Sequence, residues 1–255
     1  MCHACGAENV RKRIVEIMYN YSGIKPEIVE LLSINRFNDS KEFYEEHKEE
    51  LKQGATIPMR QIVLDLSDLM SELDPLSDLN PVYSVSRIRR DTRRTKSKML
   101  YRENLWLMLR RNKVAYPFAP FYWFEFLPAG YAFGLGMWTH KPSQFDAVRQ
   151  KILEEPERWL EAVKATEDAG LTYGTRDYYK KDKVPDAPEA LKQYLNAKNM
   201  EFVRWNSDLK NIASEKLIDE LRLMLDVSSP MYQFLIEAYD KAVSEGLINA
   251  DDYRR

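Results

Sequence analysis

Apolar residues recur at helical spacing along the first third of the chain. Val10, Ile14, Ile17 and Met18 do so in "NVRKRIVEIMYNY", which predicts a short amphipathic helix. "KPEIVELLSI" predicts a second, with Pro26 suited to its first turn. A third covers "NDSKEFYEEHKEELKQG", where Asp39 or Ser40 can cap, Asp39 and Glu42 have capping-box spacing, and Gly54 marks the end. In "IPMRQIVLDLSDLMSEL", Met59, Ile62, Val63, Leu66, Leu69, Met70 and Leu73 fall on one side. That pattern predicts one core-facing helix opened by Pro58.

After the turn-rich "DPLSDLNP" the period changes. "VYSVSRI" and "NLWLML" are short β-compatible runs, and "FYWFEFL", "PAG" and "YAFGLGMW" predict a hairpin around a three-residue turn with Gly130. In its second strand Tyr131, Phe133, Leu135 and Met137 share one face, and Ala132, Gly134 and Gly136 the other. A face of small residues implies close approach, by a packed helix ahead of a ligand.

Helical patterns then return. Ser143 can cap "QFDAVRQKILEE", with Asp146 in capping-box position, and Pro156 opens "ERWLEAVKATEDA", ended by Gly170. "GLTYGTRDYYKKDKVP" reads as strand and loop, "PEALKQYLNA" as helix and "MEFVRW" as strand. Ser214 can cap "EKLIDELRLMLDV"; Ser229 and Pro230 open the last helix, ended by Gly246. Helices, a run of strands, then helices predict an α+β fold, an antiparallel meander in mid-chain packed by N-terminal and C-terminal helices.

Composition adds little until charge is mapped. The 255 residues are 44% hydrophobic and 31% charged, with a net charge of −2, values of an ordinary globular chain. From Ser86 to Lys113, however, eleven Lys and Arg face two acids, a net of +9 that leaves −11 for the rest. Residues 114–138 are apolar except for Glu125, but Pro117, Pro120 and Pro128 argue for a buried sheet and against a membrane span. Only Cys2 and Cys5 carry thiols, and no secretory signal precedes them, so the expected setting is cytoplasmic. "CHAC" lacks a fourth zinc ligand and His47 and His140 stand apart, so neither a metal nor a cofactor is expected. Nucleophile elbow, Walker loop, GxGxxG and HExxH motifs are absent.

The chemistry therefore concentrates in "SRIRRDTRRTKSKMLYREN", residues 86–104, with eight Lys and Arg. If the stretch is extended, Arg87 and Arg89 share one face and Ile88 and Arg90 the other, so Arg90 emerges on an apolar side and needs Asp91 or an anion as partner. Lys96 and Lys98 follow, then Tyr101 as a phenol donor. A solvated charge run and an anion site both fit. Nucleic acid ranks below a small anion, although Tyr101 and Trp106 stand nearby, because the cluster is compact and no recognition fold is legible.

Arg87-x-x-Arg90-Asp91-x-Arg93, followed by Lys98-x-x-Tyr101, resembles the signature of the bacterial family known as domain of unknown function 2461. The family pattern continues with Phe where this chain has Arg94 and with Asp or Asn where it has Ser97. "RFNDSKEFYEEHKEEL", "FYWFEFLPAGYAFGLGMW" and "YYKKDKVPDAPEALKQYLNAKNMEF" are similar too. The resemblance covers about residues 24–205. It divides the chain into an extension (1–23), a main α+β domain (24–205) and a C-terminal helical pair (206–255) packed on that domain. It implies a cytoplasmic protein with no established activity, and it favours a network over a mere charged surface.

The expected ligand is small and phosphate-bearing. Arg87, Arg90 and Arg93 would hold it, Asp91 would orient an arginine, and Lys98 and Tyr101 would complete the shell and serve as any acid or base. Lys180, Lys181 and Lys198, from the second matched region, would close the pocket. The rival reading makes Arg90, Asp91 and Arg93 a buried salt-bridge network, with the outward arginines meeting a protein or nucleic-acid partner. A ligand site requires converging, partly solvated guanidinium tips; a structural network requires every guanidinium already paired.

Overall fold

The helical periodicity of the first third becomes one side of a two-layer structure. The computed structural model describes residues 19–93, 96–249 and 251; the helix expected over residues 9–21 begins outside them, and Tyr19–Tyr21 are not helical. The first helices are α1 (Pro26–Asn38) and α2 (Lys41–Leu51). A π-helical turn over Lys52–Thr56 leads into α3 (Ile57–Asp65), followed by α4 (Ser67–Leu73). Ser40 is the cap of α2, its hydroxyl accepting from Phe43 N at 3.0 Å. Asp39 instead ends α1 in the left-handed region at φ 47°.

Two expectations fail here for tertiary reasons. Gly54 does not end a helix; it sits inside the π turn, where a Cβ would collide with the Ile28 side chain of α1. The single helix expected over 57–73 breaks at Leu66. There the Asp65 carbonyl accepts from Arg222 at 2.7 Å, while the Asp65 carboxylate receives the backbone N–H groups of Asn20 and Tyr21, each at 2.8 Å.

The strand β1 (Ser77–Asp78) and the one-turn helix α5 (Pro81–Ser84) precede β2 (Leu105–Arg111), β3 (Phe121–Leu127) and β4 (Gly130–Met137). "VYS" is thus helical, because Asn80 caps Val82 N at 2.9 Å behind Pro81, and only the residues after it extend. Next come α6 (Asp146–Glu154), α7 (Pro156–Asp168), β5 (Thr172–Tyr173), α8 (Glu189–Leu195), β6 (Met200–Asn206), α9 (Lys216–Val227) and α10 (Ser229–Ser244). Before α6, the reach-back comes from Gln144 and not from a Ser143 cap: its carboxamide oxygen accepts from His140 N and Lys141 N at 3.1 and 3.0 Å. Ser214 likewise caps nothing with its side chain; its hydroxyl donates to the Asn211 carbonyl.

The strands form one antiparallel sheet in the order β1-β2-β3-β4-β6-β5. This is the expected α+β architecture, a central meander with helices from both ends of the chain. One sheet face carries Leu105, Leu107, Leu109, Tyr122, Phe124, Phe126, Tyr131, Phe133, Leu135, Met137, Met200 and Phe202, all buried. The helices close over it: Tyr122 stacks on Tyr232 of α10 at 5.1 Å, and the Tyr131 hydroxyl donates to Glu220 of α9 at 2.8 Å. Leu127 pairs with Gly130, so the hairpin loop is the two residues Pro128–Ala129, and Gly130 enters the strand at φ 150°.

The opposite face is open by comparison. It places Trp106, Met108, Trp123, Glu125, Glu201 and Val203 half-buried around Ala132, Gly134 and Gly136, with Trp205 exposed. At the two glycines the close approach is made by the sheet itself. A Cβ on Gly134 would meet the Phe202 carbonyl and lie 3.2 Å from Trp123 Nε1, and one on Gly136 would lie 2.5 Å from the Met200 carbonyl oxygen.

Candidate functional site

The basic stretch is built onto the outer edge of β2. Its first half, residues 85–90, runs antiparallel to residues 100–107. Val85 bridges Leu107 and Arg89 bridges Tyr101, with Ser86 N donating to the Trp106 carbonyl at 2.8 Å and Arg90 N to the Leu100 carbonyl at 2.7 Å. Two more residues lie between the bridges on the 101–107 side than on the other, so Arg102–Trp106 bulges outward. Buried Val85 and Ile88 anchor this arm. From below, Asp39 Oδ1 accepts from both Leu100 N (2.7 Å) and Tyr101 N (3.1 Å), and the Tyr101 ring, 1% exposed, stacks on Tyr44 at 4.6 Å.

The expected alternation holds: Arg87 and Arg89 are exposed, Ile88 is buried and Arg90 is half-buried. The motif residues then separate into two groups. Asp91 takes Arg93, not Arg90, through a bidentate pair (Nε 2.9 Å, Nη2 2.7 Å) on the exposed surface, which holds the Asp91 carboxyl far below the usual carboxylate range. Lys98 donates to the Thr92 carbonyl at 3.1 Å and closes the loop. Burial raises the Tyr101 phenol, so it keeps its proton at neutral pH. These four residues shape the arm and do not converge on one point.

Arg90 and Arg102 behave differently. Each has a buried Nε with no hydrogen-bond partner among the described residues. The Arg90 guanidinium donates to Ser97 Oγ, at 3.4 Å. Arg102 lies over the Trp106 ring at 4.3 Å. Burial, and next to it the neighbouring charge of Arg90, lowers the Arg102 pKa, with Glu125 opposing. Glu125 itself is engaged by Asn104. Two like charges therefore bear on one another while each keeps a buried donor without an acceptor among the described residues.

Beside them opens a groove of about 750 Å³. The arm contributes Arg87, Arg89, Asp91 and Arg102; α5 contributes Val82 and Tyr83. Trp106, Met108, Arg110 and Arg111 come from β2, with Asn112–Val114 beyond it and Asp78 from β1. Arg87 and Arg89 make no hydrogen bond or ion pair with the described residues. Arg111 is committed: its Nε donates to Asp74 at 2.8 Å and its Nη1 to Asp240 at 2.5 Å. Burial opposes its charge, yet those two carboxylates overcome that and raise its pKa.

Lys180 and Lys181 are exposed, and Lys198 donates to Asp177 at 2.7 Å beside the Tyr178–Ala197 bridge. They lie toward the β6–β5 edge, three strand spacings or about 14 Å from β2, and do not line the groove. Cys2 and Cys5 fall outside the described residues, and His47 and His140 contact Glu50 and Phe118 respectively. Among the described residues, no group of three or more His, Cys, Asp or Glu could hold a metal, and no helix is long and apolar enough to cross a membrane.

Residues 27–234 match the family described as "Conserved hypothetical protein (DUF2461)". The chain belongs to the DUF2461 family. The match begins in α1, passes Asn206, includes all of α9 and enters α10, so the whole sheet and the arm lie within it. No curated protein and no solved structure matches. Within this DUF2461 fold, sequence reasoning left Arg102, Arg110 and Tyr83 off the candidate set. Arg102 sits inside the basic stretch, but its role depends on pairing with Ile88 and on the Trp106 ring, and neither is a feature of spacing.

Proposed function

We propose that this DUF2461 protein is a cytoplasmic binder of a small phosphate-bearing anion, held in the groove between the arm and β2. Arg102 lies on its floor and Arg87 and Arg89 on its rim, while Arg90, on the other face of the arm strand, acts on Arg102 through its charge. The observation that carries this reading is the lining of the groove: Arg87 and Arg89 make no hydrogen bond or ion pair with the described residues, and Arg102 has a buried donor lacking an acceptor among them. A phosphate held there would give these guanidiniums the acceptors they lack. The Asp91–Arg93 pair answers to the structural reading, but only for those two residues. Lys98 and Tyr101 act on this view as scaffold.

The test is a thermal titration of the full chain with inorganic phosphate and diphosphate against chloride at matched ionic strength. Selective binding to the folded state raises the melting temperature progressively with ligand concentration. Replacing both Arg87 and Arg89 with Ala, exposed positions whose loss leaves the core intact, should remove the rise without lowering the ligand-free melting temperature. An equal response to chloride and diphosphate would refute the proposal.

A further inference from the structure

We infer that the phosphate-bearing ligand is a nucleoside phosphate, its base held against Arg102 and Tyr83 and its phosphates on Arg87 and Arg89; this rests on the anion-binding reading above. The first ground is size. At about 750 Å³ the groove lies within the range of about 300–1,000 Å³ typical of sites for organic ligands, and a bare phosphate or diphosphate would leave most of it unfilled.

The second ground is the lining. Beside the arginines stand Val82 and Tyr83 from α5, Met108 from the middle of β2, and Val114. Val82, Tyr83 and Val114 are 54%, 81% and 44% exposed, so the groove keeps an accessible apolar wall as well as a cationic one. A site for a simple anion has no use for such a wall. A ligand with a flat, weakly polar body does.

Geometry narrows the body to a planar ring. The Arg102 guanidinium carbon lies 4.3 Å from the centroid of the Trp106 indole, so a cation and an aromatic ring already stand together at the groove. A guanidinium can stack a heteroaromatic ring on its face while its in-plane N–H groups donate to phosphate oxygens. Tyr83 supplies a second aromatic surface. It lines the groove, and its side chain makes no hydrogen bond or ring contact with the described residues. Aromatic surfaces beside cationic donors are the usual recognition set for base and phosphate together.

The experiment is calorimetric titration of the full chain with diphosphate, adenosine, adenosine and uridine mono- and diphosphates, and a twelve-nucleotide oligothymidylate. It is run on wild type and Tyr83→Ala, with circular dichroism to verify that the variant is folded. Nucleoside diphosphates are expected to bind at least tenfold tighter than diphosphate. Tyr83→Ala should erase that advantage and leave diphosphate affinity within twofold. If diphosphate binds as tightly as the nucleotides, or Tyr83→Ala weakens neither, the inference falls while the anion site stands. If no phosphorylated compound binds, both fall. Oligothymidylate binding more than tenfold tighter than any mononucleotide overturns the inference in favour of a nucleic-acid strand.

Discussion

Removing a charge should make this protein more stable at one position, and that position is Arg102. Its Nε is buried without an acceptor, a defect that costs about 1–3 kcal/mol in folded proteins. Arg90 repels it and lowers its pKa. Against this stands the contact with Trp106 at 4.3 Å, worth about 0.5–1 kcal/mol for a cation on a partly exposed ring. In Arg102→Met an unbranched apolar stem stays on the indole while the charge and its orphan donor go. The net expectation is a gain of about 0.5–2 kcal/mol in the ligand-free protein, or a melting temperature higher by about 1–6 °C for a chain of this size. Urea unfolding followed by tryptophan fluorescence measures it, with an unchanged slope showing that the denatured state is not altered. The same variant should lose diphosphate binding. A fall of more than about 1 kcal/mol, in the range of ordinary harmful substitutions, would mean that the guanidinium serves the fold, and the argument for the groove would lose its basis.

The buried pair next door should respond in the opposite way. Asp74→Ala strips Arg111, 5% exposed, of its buried carboxylate, leaves it the solvent-facing Asp240 and should cost about 3–5 kcal/mol in chemical denaturation, whereas Asp240→Ala, on a side chain 53% exposed, should cost about 1 kcal/mol; equal losses would contradict the assignment of burial. Gly54→Ala should lose about 1–3 kcal/mol by pushing on Ile28, and a double-mutant cycle with Ile28→Ala should return a coupling of at least about 1 kcal/mol; additivity would place the strain elsewhere. Glu237 is held at about 2 by Arg158, and by Lys151 after it, against the effect of burial. Its folded value lies below its ordinary 4.5, so its contribution is present above that pH and fades as pH falls toward 2. Melting profiles of Glu237→Gln should lack that part of the acid slope, and an unchanged slope would exclude it.

Local chemistry carried the elements whose partners are near in sequence. "NLWLML" alternates because one face of β2 is core and the other faces the groove, and the aromatic hairpin is legible from its bulk and its turn residues. Ser40 and Pro26 act as their residue types dictate. What escaped depends on distant atoms. Leu66 breaks a periodic helix because Arg222, far along the chain, takes the Asp65 carbonyl. Gly54 resembles a helix terminus until Ile28 is seen filling the place of its side chain. At the site, the basic stretch is visible at once, but the division of its residues is not. Whether an arginine meets Asp91 or faces a groove follows from the bulge between two bridges, and no count of charges encodes that.

That division answers why the motif mixes Arg, Asp, Lys and Tyr. A strand edge crowded with cations would splay unless something held it. Val85, Ile88 and Tyr101 do so with apolar burial, Asp39 does so by receiving two backbone donors, and Lys98 and the Asp91–Arg93 pair shape the turn. With the arm fixed by these contacts, the backbone keeps Arg90 and Arg102 on neighbouring segments, where the charge of one bears on the other. Like charges left without acceptors persist in a fold only where the surroundings over-determine them, and on the proposed reading an anion would relieve them. Of the acids in the rest of the chain, which outweigh the remaining bases by eleven, Asp78 lines the groove, where it receives Asn112; Asp91, the carboxylate of the arm that lines it, is spent on Arg93. The same carboxylate that makes the stretch look self-neutralising in sequence therefore leaves the groove positive in structure.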